Sequence, residues 1–153
     1  MQKLNDQLPN LAIKTTNSSI KALQDYKGKH LVLYFYPKDD TPGCTIEAND
    51  FQKLSLDFAQ SNALVVGVSK DSIASHQKFC DKFDLQFDLI SDEQGELCEM
   101  FGVWVEKSMF GKKYMGIERA TFLFNAQGEL VQQWRKVKPA GHAAAVLKAV
   151  QKL

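Results

Sequence analysis

The chain has 153 residues, of which 44% are hydrophobic and 24% charged, with ten Phe among them. That is enough apolar surface for one compact core and too much for a disordered chain, so a single domain over residues 1–153 is expected. Nineteen basic against eighteen acidic side chains leave a formal charge of +1, which gives no broad field for a polyanion or an acidic bilayer. Nucleic acid and membrane are therefore disfavoured as partners.

The first ten residues are polar, without the apolar stretch of a secretory leader, and no apolar run reaches a membrane-spanning length. A soluble cytoplasmic protein is expected. Residues 11–20 carry a weak signal for two edge strands around Asn17-Ser18-Ser19. The clearest strand is 30–36, where Leu31 to Phe35 form a continuous β-prone run of the kind covered on both faces, which places it centrally. Residues 63–69 repeat that signal, and Phe51, Leu54 and Phe58 recur between the two at helical spacing, completing a βαβ unit.

A second helix is expected over 72–83, with Phe79 and Phe83 on one face, followed by a short strand at 87–90. Cys98 falls on a short helix beside Leu97 and near Phe101, where it reads as core filler. Residues 104–114, containing Met109 and Phe110, are apolar without a clear period, and read equally as a loop over the site or a self-association surface. Strands at 120–124 and 129–134 flank Asn125-Ala126-Gln127-Gly128, which suits an antiparallel hairpin, and an Ala-rich helix over 141–153 closes the chain. Alternating strands and helices predict an α/β fold with a central mixed sheet flanked by helices.

The chemistry concentrates where the central strand ends and the next helix begins, in Tyr36-Pro37-Lys38-Asp39-Asp40-Thr41-Pro42-Gly43-Cys44. Loops at the carboxyl ends of parallel strands are where open α/β sheets build sites. Thr41 is a good N-cap and Pro42 a favoured first helical residue, so Cys44 falls at the third helical position. A thiolate there accepts hydrogen bonds from free backbone N–H groups and meets the positive end of the helix dipole. Like charge from Asp39 and Asp40 opposes it unless they point away, so a cation is needed; Arg119, just before the strand at 120–124, is the candidate.

The spacing Pro37-x-x-x-Thr41-x-x-Cys44, with strand before and helix after, resembles the active-site motif of the peroxiredoxins. Phe35-Tyr36-Pro37-Lys38-Asp39, Thr41-Pro42-Gly43-Cys44-Thr45 and Arg119-Ala120-Thr121-Phe122 make the likeness strongest to the bacterioferritin comigratory protein (PrxQ) branch, over essentially the whole chain. The resemblance implies a thioredoxin-like fold and a thiol peroxidase acting on hydrogen peroxide and organic hydroperoxides. It implies Cys44 as the nucleophile that becomes a sulfenic acid, Thr41 and Arg119 orienting and polarising the peroxide, and Pro37 shielding the sulfur. Some members of this branch carry a second cysteine five residues on, but that position is Asn49 here; others place it in the next βα helix, which assigns Cys80 as the resolving cysteine. The implied cycle has an intramolecular Cys44–Cys80 disulfide formed after local unfolding and reduced by thioredoxin or a similar dithiol, in a monomer without a bound cofactor.

Glu47, one turn after Cys44, reads either as a member of the hydrogen-bond network or as a dipole complement only, and is left outside the core site. His30, His76 and His142 show no metal-ligand spacing, no Cys-x-x-Cys pair exists, and no phosphate-binding glycine motif appears. The basic stretches at 112–113 and 135–138 read as solvated faces. Two other classes remain open: a redox sensor or binding module that stops after one oxidation of Cys44, and a holdase indifferent to Cys44→Ser.

Overall fold

The computed structural model describes residues 5–153. A five-stranded sheet organises the chain in the order β3-β2-β1-β6-β7, formed by β1 (His30–Phe35), β2 (Ala63–Ser69), β3 (Asp88–Ser91), β6 (Ala120–Phe124) and β7 (Leu130–Trp134). β1, β2 and β3 run parallel, while β6 is antiparallel to β1 and β7 to β6. The continuous apolar run of β1 thus lies in the middle of a mixed sheet, as its composition requires of a strand buried on both sides.

Side-chain alternation divides β1 between two cores. Leu31, Leu33 and Phe35 pack with Phe101, Phe122 and Phe124 on the face covered by α4 (Glu96–Met100), where Cys98 is fully buried. Val32, Tyr34 and Tyr36 pack on the other face with Cys44, Phe51, Phe58, Phe79 and Val146. Those residues come from α1 (Pro42–Lys53), α2 (Ser55–Gln60), α3 (Ile73–Phe83) and α5 (His142–Gln151). Cys44 and Cys80 therefore both belong to this second layer.

Three expectations need correction. The single helix carrying Phe51, Leu54 and Phe58 is two helices, broken at Leu54 (φ −96°, ψ 9°), and the break still lets the Phe51 and Phe58 rings meet at 5.9 Å. Residues 11–20 make bridges rather than strands, Ala12 with Ala22 and Thr15 with Ile90. Residues 104–114 are no loop: β4 (Trp104–Met109) and β5 (Lys112–Ile117) form a separate antiparallel hairpin. Its two-residue turn, Phe110-Gly111, has φ of 53° and 78°, the primed geometry that suits the twist of paired strands. The hairpin showed no period because most of it faces solvent on both sides, with Met109, Tyr114 and Met115 exposed and Phe110 97% accessible.

Candidate active site

Pro42 opens α1, which places Cys44 at its third residue, buried at the carboxyl end of β1. Thr41 has the extended backbone of an N-cap, but its hydroxyl makes no capping bond; it donates to the Lys38 carbonyl at 2.8 Å. That single proton is spent, so Thr41 Oγ1 is left as an acceptor for any further partner. Pro37 is half-buried in the bend between β1 and α1.

Arg119 reaches Cys44 across 75 residues of sequence: its Nη2 donates to Sγ at 3.3 Å, and its Nη1 donates to Glu47 Oε1 at 2.7 Å. The approach needs a bare helix start. A Cβ at Gly43 would lie 3.2 Å from Arg119 Nη2, tighter than side chains normally pack, and in ordinary contact with Pro139 Cγ at 3.6 Å. The arginine is held from behind by backbone bonds on either side, Glu118 N–H to the Val103 carbonyl and Val137 N–H to the Arg119 carbonyl. Arg135, read from sequence as a solvated charge, pairs with Glu118 and donates to the Gly102 carbonyl, bracing the same segment.

Glu47 is the residue that sequence reasoning left out. It lies one turn after Cys44 on the same helix face, which was the available signal, yet its partner sits 72 residues away. Glu47 is fully buried, with Oε2 lacking a hydrogen-bond partner among the described residues. Burial pushes its carboxyl up to about 7, against the pull of Arg119 in the other direction. Burial opposes the Arg119 charge too, but Glu47 and Cys44 more than offset it.

Asp39 and Asp40 do not confront the sulfur. Asp39 is turned into the interface with α3, accepting from Tyr36 Oη (2.6 Å) and Ser75 Oγ (2.7 Å), with His76 Nδ1 at 2.8 Å. Burial works against its charge, yet these bonds hold its carboxyl below the ordinary range. Asp40 pairs at the surface with Lys82. Asp39, Asp71 and His76 have donor-type atoms within 4.8 Å of one another, the geometry of a small cation cluster. Each is committed internally: Asp71 Oδ2 accepts from Ser69 Oγ and the Asp39 N–H, and His76 Nε2 donates to the Ile90 carbonyl.

Cys80 sits half-buried on α3, one turn after His76, and all three cysteines are free thiols. Burial, with Asp39, Asp81 and Asp88 adding to it, pushes the Cys80 thiol up to about 11. The Cys98 thiol is raised further, mainly by burial. Behind the site His142 shares a hydrogen bond with Thr121 Oγ1 at 2.7 Å; burial, then the nearby Arg119, pushes its imidazole down to about 4.

The arrangement combines a cysteine at a helix start with a cation that donates to its sulfur and is anchored by a buried carboxylate. The AhpC/TSA family model matches residues 4–133. Peroxiredoxin Bcp of Bacillus subtilis is 47% identical over 149 residues, covering 97% of this chain and 95% of that protein. The Escherichia coli K12 peroxiredoxin Bcp is 36% identical over 145 residues, covering 95% and 93%. A solved structure of the Xanthomonas campestris bacterioferritin comigratory protein, described for its alkyl peroxide reduction activity, superposes with a TM-score of 0.90 at 45% identity, covering 99% of this chain and 98% of that one. The chain belongs to the AhpC/TSA family and, within it, to the Bcp/PrxQ peroxiredoxins, thiol peroxidases of thioredoxin-like fold.

Proposed function

We propose that the protein is a cytoplasmic, monomeric, single-domain atypical two-cysteine peroxidase that reduces hydrogen peroxide and organic hydroperoxides and is recycled by thioredoxin or a similar dithiol. The observation that carries this reading is the Arg119 guanidinium, divided between the Cys44 sulfur and buried Glu47. Cys44, as thiolate, attacks the terminal peroxide oxygen; the O–O bond breaks, the sulfur becomes a sulfenic acid, and the electron pair leaves with the distal oxygen as hydroxide or alkoxide. Arg119 supplies fixed positive charge where that oxygen develops its own, and Thr41 Oγ1 accepts the hydrogen of the bound peroxide. Pro37 keeps water off the sulfur. The alkyl peroxide reduction described for the Xanthomonas relative supports organic hydroperoxides as substrates.

Resolution falls to Cys80, whose thiol displaces water from the sulfenic acid to give the disulfide. In the folded protein that thiol is raised to about 11 and half-buried, so it is a poor nucleophile in place. Exposure returns it towards the ordinary range, and this couples resolution to local unwinding of α1 and α3. Thioredoxin or another dithiol then reduces the exposed disulfide by exchange.

The test is steady-state peroxide consumption with a thioredoxin system, together with mass analysis of the oxidised protein. Wild type should consume many equivalents, Cys44→Ser none, and Cys80→Ser should stall after about one and accumulate sulfenic or sulfinic Cys44. Cys80→Ser matching wild type removes the resolving role. A wild type that stops after one equivalent favours the sensor class instead.

A further inference from the structure

The proposed peroxidase reaction leaves one atom unaccounted for: the proton that converts the departing oxygen into water or an alcohol. Arg119 stabilises charge but does not give up a proton in proteins. The Thr41 proton is held on the Lys38 carbonyl. Glu47 faces the guanidinium from a fully buried position behind it. Hydroxide and alkoxide are strong bases, water having a pKa of about 15.7, so expelling them without a proton donor is costly.

Lys107, on the hairpin that leads into Arg119, is near enough for its amine to feel the charges of Arg119 and Cys44. It lies on β4 between exposed Glu106 and Ser108 but is itself half-buried. Its cross-strand partner is Tyr114, yet its stem leans past that residue over Gly116, with Cδ 3.2 Å and Cε 3.5 Å from where a Cβ at 116 would be. Gly116 has no left-handed backbone to explain it, so the bare position serves as a track for the lysine. The lean carries the ammonium from the hairpin tip towards its root, where β5 ends at Ile117 and Arg119 follows.

The neighbouring charges fit that direction. Burial and Arg119 lower the Lys107 amine, while Cys44 on α1 and Glu118 beside Arg119 pull the other way. Among the described residues it makes no ion pair or side-chain hydrogen bond, unlike Lys82, Lys113 and Arg135, each of which has a carboxylate partner. A half-buried lysine that has no such partner and leans towards the hairpin root preceding Arg119 has its protons free for a substrate.

We infer that Lys107 is the general acid of the peroxidase step, delivering a proton to the oxygen that leaves when Cys44 is oxidised. Cys44 S⁻ bonds to the terminal oxygen, the O–O pair departs on the distal oxygen, and a Lys107 N–H proton passes to it, leaving the alcohol or water and a neutral amine. Solvent then restores the ammonium. The inference rests on Cys44 as nucleophile and does not depend on how the sulfenic acid is resolved.

A leaving-group series tests it. Single-turnover loss of the Cys44 thiol, followed by rapid quench and alkylation, is measured with hydrogen peroxide, tert-butyl hydroperoxide and peracetic acid. The peracid expels a carboxylate, a weak base with a conjugate-acid pKa of about 4 that needs no proton to depart. Lys107→Met should slow the first two oxidants by about 100-fold, the usual lower range of general-acid assistance, and peracetic acid by less than about threefold. Lys107→Arg keeps the charge but not the transferable proton, and should fail to restore the rate with hydrogen peroxide. Gly116→Ala, which obstructs the track, should show a milder form of the same selectivity. Equal slowing with all three oxidants, rescue by Lys107→Arg, or a Lys107→Met protein as fast as wild type overturns the assignment. So does the selective loss appearing in Glu47→Gln and not in Lys107→Met. A wild-type Cys44 unreactive towards every oxidant sinks the parent reading, an outcome distinguishable from all of these.

Discussion

Glu47 gives the most quantitative handle on the site. Its carboxyl is fully buried, one oxygen bonded to Arg119 and the other without a partner among the described residues. Between its ordinary value of 4.5 and about 7, the folded protein holds a proton that the unfolded chain has released. Because the folded state binds more protons in that window, stability attributable to Glu47 is complete below about 4.5 and is lost as pH rises through 7. At about 1.4 kcal/mol per pH unit the loss amounts to about 3 kcal/mol. Glu47→Gln keeps an acceptor oxygen for Arg119 and removes the titration. The variant carries a pH-independent offset, since Arg119 loses a charged partner, so the diagnostic quantity is the change in the difference between variant and wild type. Denaturant unfolding of the reduced proteins from pH 4 to pH 8 should show that difference moving in favour of Glu47→Gln by about 3 kcal/mol. A difference that stays flat, or moves the other way, refutes the argument that burial outweighs the pull of the guanidinium.

His142 should show the opposite slope. Its folded imidazole titrates near 4 against an ordinary 6.5, so the unfolded chain binds the extra proton, and stability falls by about 3 kcal/mol as pH drops through that window; His142→Gln should abolish the fall in the same unfolding series. The two groups oppose each other between about 4.5 and 6.5, and each single variant should reveal the slope that the other masks. Gly43→Ala should displace the guanidinium by a few tenths of an ångström, because its Cβ would meet Nη2 at 3.2 Å; single-turnover oxidation of Cys44 should slow by up to about tenfold, the effect of weakening one charged hydrogen bond by as much as about 1.4 kcal/mol. Tyr34→Phe removes a buried hydroxyl with no partner among the described residues, and should leave stability unchanged or raise it by about 1 kcal/mol in urea unfolding; a loss larger than that would show the hydroxyl to be satisfied.

What could be read from the chain was whatever depends on near neighbours. The β-prone runs around Leu33 and Val66, the Phe79–Phe83 face of α3 and the Thr41-Pro42-Gly43-Cys44 helix start each declare themselves within a few residues, and the structure has them in those places. Arg119 was found as the cation that a thiolate near Asp39 and Asp40 needs. Its anchor, Glu47, stayed hidden because their contact spans 72 residues, and no spacing rule joins a helix face to a distant loop. Asp39 was read as a threat to the thiolate for the same reason: its partners Ser75 and His76 lie on the following helix. Thr41 shows a subtler limit, since the backbone of a cap is predictable but the rotation of its hydroxyl towards Lys38 is not. The β4–β5 hairpin escaped because a strand pair exposed on both faces has no burial period to betray it.

These contacts also decide where the folded site can open on the proposed cycle. The Asp39 cluster pins the loop before α1 to the first turn of α3, and the Glu47–Arg119 pair pins α1 one turn beyond Cys44. Both anchors are buried and hydrogen-bonded, and breaking a buried pair by removing one partner costs about 3–5 kcal/mol. Between them, residues 40–46 are tied to α3 by the Lys82–Asp40 pair, whose side chains are 59% and 47% exposed. A pair so solvated is worth about 0–1 kcal/mol. On α3 the matching segment begins after His76, because Cys80 lies one turn beyond the anchored residue. The least costly route that exposes both sulfurs therefore unwinds residues 40–46 and the carboxyl-terminal half of α3 while Asp39 and Glu47 keep their partners. On the proposed cycle the frame that positions Arg119 stays folded, and the sulfur returns to the same guanidinium.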